Sequence, residues 1–251
     1  MPGVSALSAA ARPAHLPSIT RVGHKGADAV VAGNTVASFD AALGLGVDMI
    51  EFDVLRLADG RLVMAHDPED MHTHAPQSLA EGLDHLAGPA FAAVRLDVDL
   101  KLPGYEEEVA EGLARRGLSE RSLVSTTFPE SLDRLGLVAP ELERGWSVPR
   151  ARRDYTRTVF AGAALGYLHL LRRRLPARAE RMIAERRCEA LMAYWRLVDP
   201  VLVRAVHRAG GRLFAWTVDD AERIRALEGL GVDGIITNDP RLFNRPSGPT
   251  V

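Results

Sequence analysis

The sequence predicts a single closed (β/α)8 barrel, an α/β fold with little or no inserted subdomain. Three observations predict it. Short apolar strand-like runs alternate with stretches of helical periodicity along most of the chain, the pattern of a parallel sheet covered by helices. About eight such units fit into 251 residues, which suits a closed barrel better than an open sheet. The residues that carry chemistry fall near the C-terminal ends of the predicted strands, where such barrels place their sites. Residues 1–17 read as an N-terminal arm, 18–243 as the barrel domain and 244–251 as a C-terminal tail.

The elements follow in order. Residues 18–24 form a first strand that ends in Gly23-His24-Lys25-Gly26. Asn34 or Thr35 can cap a helix over 36–45, and Gly46 closes it. Residues 49–57 form a strand, Ala58-Asp59-Gly60-Arg61 a hairpin turn, and 61–66 the return. A polar loop over 67–90 holds a short helical patch near 78–86, and 94–102 is the next barrel strand. A helix over 105–116 has an acidic first turn and a basic last turn, matching its dipole. Strands over 122–127, 143–148, 191–194, 212–218 and 234–237 then alternate with helices over 129–137, about 159–187, 200–209 and 220–230.

Composition narrows the function classes. A net charge of -2 with basic and acidic residues nearly balanced gives no footprint for nucleic acid. The single cysteine, Cys188, precludes an internal disulfide and suits a reducing compartment, so a cytoplasmic location is expected. Residues 1–17 lack a basic start followed by an apolar core, so no signal peptide is expected, and no stretch is long enough for a transmembrane segment. Of 31 basic residues only Lys25 and Lys101 are lysines, and both lie beside the acidic and histidine motifs. In so arginine-biased a chain, that placement points to a need for a compact ammonium there.

Glu51 and Asp53 are two residues apart on a strand and share a face, as do Asp97, Asp99 and Lys101 on the next. Inward-facing carboxylates resist ionisation unless a positive charge offsets them. Glu51, Asp53 and Asp99 give an all-oxygen donor set suited to one Mg²⁺ or Ca²⁺ rather than zinc. His24 and His66 lie beside this set in the proposed fold. One cation, a lysine and two histidines suit phosphodiester cleavage, with one histidine removing a proton and the other supplying one. Taken singly, each residue has a plainer reading: Glu51 and Asp53 as a solvated strand face, His66 as a turn residue, Lys101 as a surface charge, Trp216 as core. One barrel mouth accounts for them together. His72, His74, His85, His169 and His207 read as loop or helix surface.

Gly23-His24-Lys25-Gly26-Ala27, Asn34-Thr35 with Ser38-Phe39, Glu51-Phe52-Asp53-Val54, His66-Asp67-Pro68, Asp99-Leu100-Lys101, Ala215-Trp216-Thr217-Val218 and the closing run from Leu230 to Thr237 follow one another in an order that resembles the glycerophosphodiester phosphodiesterase family. The resemblance spans about residues 18–243 and implies a barrel hydrolase that depends on a divalent cation. It implies His24 and His66 as catalytic histidines and Glu51, Asp53 and Asp99 as metal ligands. Lys25 and Lys101 would contact phosphate, and Trp216 would form an aromatic wall of the substrate pocket.

Three positions depart from the family pattern. Lys25 stands where arginine is usual, Gly33 where glutamate precedes Asn-Thr, and Asp99 where the third ligand is usually glutamate. Lys25 keeps a charge but lacks the bidentate fork, and a local arginine–glutamate pair is expected to be gone. Related sphingomyelinase D type phospholipases carry Asp-Leu-Lys at the position of Asp99. Three readings therefore stand: a glycerophosphodiester hydrolase releasing sn-glycerol 3-phosphate and an alcohol; a lysophospholipase D-like enzyme that proceeds through a cyclic phosphate; and a barrel that binds a phosphate ligand without hydrolysis. The short connection after His66 predicts an open mouth. Residues 159–171, mostly apolar and followed by Arg172-Arg173-Arg174, read either as a segment making weak contact with a membrane surface or as an outer barrel helix with a basic C-terminal end, the second being preferred.

Overall fold

The structure, a computed structural model, describes residues 19–67, 75–150 and 161–244, with side chains throughout except at 161–165. The expected arm, the tail beyond Asn244, His72, His74 and residues 159–160 lie outside the described residues.

Eight parallel strands close the barrel. They are β1 (Thr20–Gly23), β2 (Met49–Arg56), β4 (Arg95–Leu100), β5 (Ser122–Thr126), β6 (Glu143–Val148), β7 (Ala190–Tyr194), β8 (Arg212–Trp216) and β9 (Gly234–Thr237). They pair in chain order, and β1 joins both β9 and β2. β3 (Leu62–Met64) is the expected hairpin return and lies antiparallel on the far end of β2. The connecting helices are α1 (Val36–Gly44), α2 (Leu79–Leu86), α3 (Glu106–Ala114), α4 (Pro129–Val138), α5 (Ala161–Ala184), α6 (Pro200–Arg208) and α7 (Ala221–Leu230). A single 3-10 stretch, Pro240–Asn244, follows β9.

Local chemistry sets the helix ends. Thr35 caps α1, Ser78 and Glu81 form a reciprocal capping box on α2, and Asp199 and Asp220 cap α6 and α7. Gly231 closes α7 at φ 86°, a left-handed conformation that glycine adopts without a Cβ clash. Two expectations change. α3 keeps its acidic first turn but ends at Ala114, so Arg115 and Arg116 fall beyond its last turn and pair with Glu111 and Asp84. The basic triplet 172–174 does not end its helix, because α5 continues to Ala184.

Strand alternation sorts the core. Outward residues of β2 and β4, such as Ile50, Phe52, Val54, Leu96 and Val98, pack against Phe39, Leu83, Leu86, Val109 and Leu113 of the helices. Leu191, Leu213, Ala215 and Ile235 do the same against Ala179, Ile183, Val206, Ile224 and Leu227. Inside the barrel, Val22, Met49, Leu123, Met192, Phe214 and Ile236 form an apolar plug. One step below, Glu143 takes ion pairs from Arg95 and Arg212. One step above, the same alternation points the next residues of these strands toward the mouth.

Cys188 sits in the outer cluster at 2% exposure, and burial, with the neighbouring Glu189 charge, pushes its thiol up to about 12. At pH 8 only on the order of one thiol in 10⁴ is then thiolate. Iodoacetamide is expected to leave the native protein unlabelled over hours and to label Cys188 stoichiometrically in urea; rapid native labelling, read by mass spectrometry, would contradict this burial.

Candidate active site

Glu51 and Asp53 follow Met49 on the inner face of β2. The β2–β4 register sets Glu51 beside Asp97 and Asp53 beside Asp99. β2 outlasts its neighbours by extending into the β3 hairpin, so Glu51 and Asp53 are mid-strand in sequence yet stand above the plug. Oxygens of Glu51, Asp53 and Asp99 lie within 4.8 Å of one another, and the first two residues are buried. The donors are anionic oxygens only, which fits a hard divalent cation.

His24 follows β1 on a turn built for close packing. A Cβ on Gly23 would stand 2.1 Å from the Gly26 carbonyl oxygen, and one on Gly26 (φ 89°) would stand 2.6 Å from Ser38 Oγ. Lys25 takes φ 51°, which aims its backbone N–H at Glu51 Oε2 over 2.8 Å. Ser38 Oγ accepts from Ala27 N–H at 2.7 Å and donates to the Lys25 carbonyl at 2.9 Å. His24 Nε2 lies 3.8 Å from Glu51 Oε2, and its Nδ1 lies 2.5 Å from Asn238 Oδ1. Asn238 Nδ2 donates to Asp219 Oδ2 at 2.7 Å. A carboxylate only accepts, so the Asn238 amide oxygen faces His24 and Nδ1 must donate. The lone pair of the neutral ring is thereby fixed on Nε2, facing the carboxylates.

The charges are arranged to match. Lys101 Nζ lies 2.5 Å from Asp53 Oδ1 and also pairs with Asp99, while Lys25 Nζ is 3.8 Å from Asp53 Oδ2. Burial disfavours the Asp53 carboxylate, but Lys101, then Lys25 and the two histidines, hold it well below the usual range. Glu51 goes the other way: burial and then the Asp53 charge raise it well above the usual range. Burial also lowers His24 against the pull of Asp53 and Asn238, which favours the neutral ring.

His66 follows β3, and the hairpin returns it toward the Asp53 side of the mouth. Its Nδ1 lies 2.9 Å from Asp67 Oδ2. Trp216 ends β8 half-buried above the plug. Its Nε1 donates to the Met192 carbonyl at 2.8 Å, and its ring lies 5.7 Å from that of Tyr194. All eight residues singled out in the sequence thus belong to the barrel's C-terminal end. His85 Nε2 and His207 Nε2 lie 2.8 Å from the Asp40 and Asp233 carboxylates near the surface, and His169 is exposed on α5, as expected for residues outside the site.

The model of the glycerophosphoryl diester phosphodiesterase family matches residues 24–80 and 116–242. The chain belongs to that family. It is a phosphodiesterase by that membership, and the reading as a barrel that binds without hydrolysis is set aside. A glycerophosphodiester phosphodiesterase of Caldanaerobacter subterraneus is 27% identical over 87% of this chain and 93% of its own length. Among solved structures, a Silicibacter pomeroyi protein named as a candidate glycerophosphoryl diester phosphodiesterase superposes with a TM-score of 0.71 at 22% identity, covering 92% of this chain and 93% of that one. An Oleispira antarctica phosphodiesterase, solved with the product sn-glycerol-3-phosphate, superposes with a TM-score of 0.63 at 19% identity, covering 92% and 98%. These two likenesses support the barrel fold.

Asp99 and Lys101 fall in the stretch that the family model leaves unmatched, and the register of β4 with β2 is what places them. The Gly33 departure has a local explanation. A Cβ at 33 would stand 2.5 Å from Asp28 Oδ1 and 2.7 Å from Lys25 Cβ, and Gly33 N–H donates to that Asp28 oxygen at 2.9 Å. The Asp28 carboxylate thus occupies the space that a side chain at position 33 would need. Sequence reasoning missed other supports. Asn34 is buried at φ 57° and does not cap α1; its Nδ2 donates to Asp53 Oδ2 at 2.9 Å, and its Oδ1 accepts from Asp53 N–H at 3.0 Å. Asn238 and Asp219 were missed too; the only signal was their place just after two barrel strands.

Asp97 lies beneath the cluster, 1% exposed. Burial raises its carboxyl to about 8, Asp99 adds to the rise, and a hydrogen bond with Ser125 opposes it. An acid raised on folding stays protonated in the native state while the unfolded chain ionises, so stability falls as pH climbs from about 4 to about 8. In metal-stripped protein, Asp97→Asn is expected to match wild type near pH 4 and to exceed it by a few kcal/mol at most near pH 8. Thermal melts across that range check this, and a pH-independent difference would count against it.

Proposed function

We propose that the chain hydrolyses glycerophosphodiesters to sn-glycerol 3-phosphate and an alcohol, with Glu51, Asp53 and Asp99 holding one Mg²⁺ or Ca²⁺. The observation that carries this reading is the three-carboxylate cluster at the barrel mouth, flanked by two histidines and two lysines. The product bound in the Oleispira relative supports the substrate class. The single buried cysteine keeps a reducing, cytoplasmic setting as the matching expectation.

A divalent cation held by these carboxylates supplies charge neutralisation at the phosphoryl oxygens. Lys101 and Lys25 add two ammonium donors on the Asp53 side of the site. His24 is the base: Asn238 holds its Nδ1–H, burial keeps the ring neutral, and Nε2 takes the proton of the attacking water. His66, oriented through Nδ1 by Asp67, returns a proton from Nε2 to the leaving alcohol. Trp216 offers a fixed aromatic face to the carbon skeleton of the substrate.

A second reading has its own observation. Asp99-Leu100-Lys101 and the short connection after His66 suit a lysophospholipid whose own hydroxyl attacks phosphorus and gives a cyclic phosphate.

Metal-stripped protein is expected to be inactive and to regain turnover with Mg²⁺ or Ca²⁺ on glycerophosphocholine or glycerophosphoethanolamine, read by phosphorus NMR. Failure of both cations on every diester would sink the proposal. Turnover of lysophosphatidylcholine alone, with a cyclic phosphate at early times, would select the second reading. His24→Ala and His66→Ala are each expected to lower kcat by roughly 10²–10⁴-fold. Asn238→Ala is expected to lower kcat by about tenfold or more with little change in KM, because it frees the His24 ring without touching the substrate; a pure KM effect would argue against that role.

A further inference from the structure

α5 is out of scale with the rest of the barrel. It has 24 residues, whereas the other α-helices among the described residues have 8 to 10. Its C-terminal half covers the barrel wall through Leu175, Ala179, Met182 and Ile183. Arg172 Nε donates to Asp199 Oδ2 at 2.9 Å, and Asp199 caps α6, which starts just after the C-terminal end of β7. Residue 172 is therefore level with the mouth, and residues 161–171 rise roughly 16 Å beyond it at about 1.5 Å per residue. Pro176 sits at the border of the two halves, where its missing N–H removes a helical bond.

Among its residues with described side chains, this spur exposes Gly166, Tyr167, His169 and Leu170. Leu168 and Leu171 lean on the cluster that also takes Tyr194 and Trp195, while Tyr167 and Leu170 are 55% and 47% exposed. A collar of arginines rings its base. Arg173 and Arg174 are exposed, and the guanidiniums of Arg196 and Arg223 lie 4.5 and 4.2 Å from the Trp195 ring centroid. Among the described residues none of these four has a carboxylate partner. The nearby acids are engaged: Asp199 with Arg172 and the α6 cap, Asp219 with Asn238 and Thr237, and Asp220 as the α7 cap. Asp219, Asp220 and Glu222 are exposed, and of these Glu222 caps no helix.

We propose that the α5 spur and its arginine collar dock the barrel mouth on an anionic lipid surface. An apolar helical segment bearing tyrosine and leucine above a basic belt is the chemistry of an interfacial anchor, with Trp195 at headgroup level. The charge selects the occupant: four guanidiniums without carboxylate partners among the described residues complement lipid phosphates, and the attraction is short-ranged in salt. No helix among the described residues is long and apolar enough to cross a membrane, so the contact is peripheral. The inference rests on the proposed function only in taking the mouth as the catalytic end, and a vesicle assay, which reads no turnover, stands or falls apart from it.

The test is flotation of the full chain with vesicles of phosphatidylcholine alone and of phosphatidylcholine with phosphatidylglycerol, at low and high salt. Binding is expected on the anionic vesicles and is lost at about 0.5 M salt. Tyr167→Ser with Leu170→Ser, and separately Arg173→Glu with Arg174→Glu, are each expected to weaken it at least tenfold while turnover of soluble glycerophosphocholine stays at the wild-type rate. Lack of binding to anionic vesicles, equal binding to neutral ones, or undiminished binding by both variants would overturn the proposal. So would a dimer in sedimentation velocity that Tyr167→Ser with Leu170→Ser dissolves while the wild type leaves vesicles unbound.

Discussion

Glu51 and Asp53 are held inside the barrel, one step above an apolar plug, and the free energy of burying that negative charge organises what surrounds them. Lys101 reaches in from β4 and Lys25 from the turn after β1. Asn34 clamps Asp53 through both its amide atoms, and the Lys25 backbone N–H donates to Glu51. Two of these supports need left-handed backbone at non-glycine residues, Lys25 and Asn34, which costs about 1–2 kcal/mol each. Each of the two strained residues gives a buried carboxyl group a donor, Lys25 N–H to Glu51 and Asn34 Nδ2 to Asp53. The same field leaves Glu51 raised and Asp53 lowered.

The barrel supplies the frame for that arrangement through alternation and register. Inward positions carry ion pairs at the floor, apolar side chains in the middle and polar side chains at the mouth, so a single period of two assigns every strand residue to a layer. β2 breaks the symmetry. Its extra length pairs with β3, and the hairpin folds the chain back toward the mouth with His66 at its end. The two histidines are supported from opposite sides, His24 by Asn238 and Asp219 after the last strands, and His66 by its neighbour Asp67. Segments of the chain far apart in sequence thus meet at the barrel mouth.

Membership of the glycerophosphoryl diester phosphodiesterase family does not make this chain a copy of the family pattern. Asp28 fills the space that a side chain at 33 would need, and the Gly33 N–H donates to its carboxylate. The long α5 changes the surface around the mouth. Its inner half is an ordinary barrel helix, and its outer half carries apolar residues into solvent above four arginines. Neither feature disturbs the carboxylate cluster, because both sit outside the β2–β4 register that fixes it.

The sequence by itself determined the strand and helix order, the closed barrel, and the eight residues at its mouth. It could do so because periodicity, capping residues and side-chain alternation are local properties that survive without knowledge of the fold. Only the tertiary structure decided how those residues are held. Asn34 looked like a helix cap and became a clamp on Asp53, and Asn238 and Asp219 carried no signal beyond their place just after two barrel strands. Asp97 shared a face with Asp99 in sequence, but only packing placed it below the cluster as a buried acid raised to about 8. Hydrogen-bond partners that lie 19 or 214 residues apart, and the burial that shifts a carboxyl group, exist only once the barrel has closed.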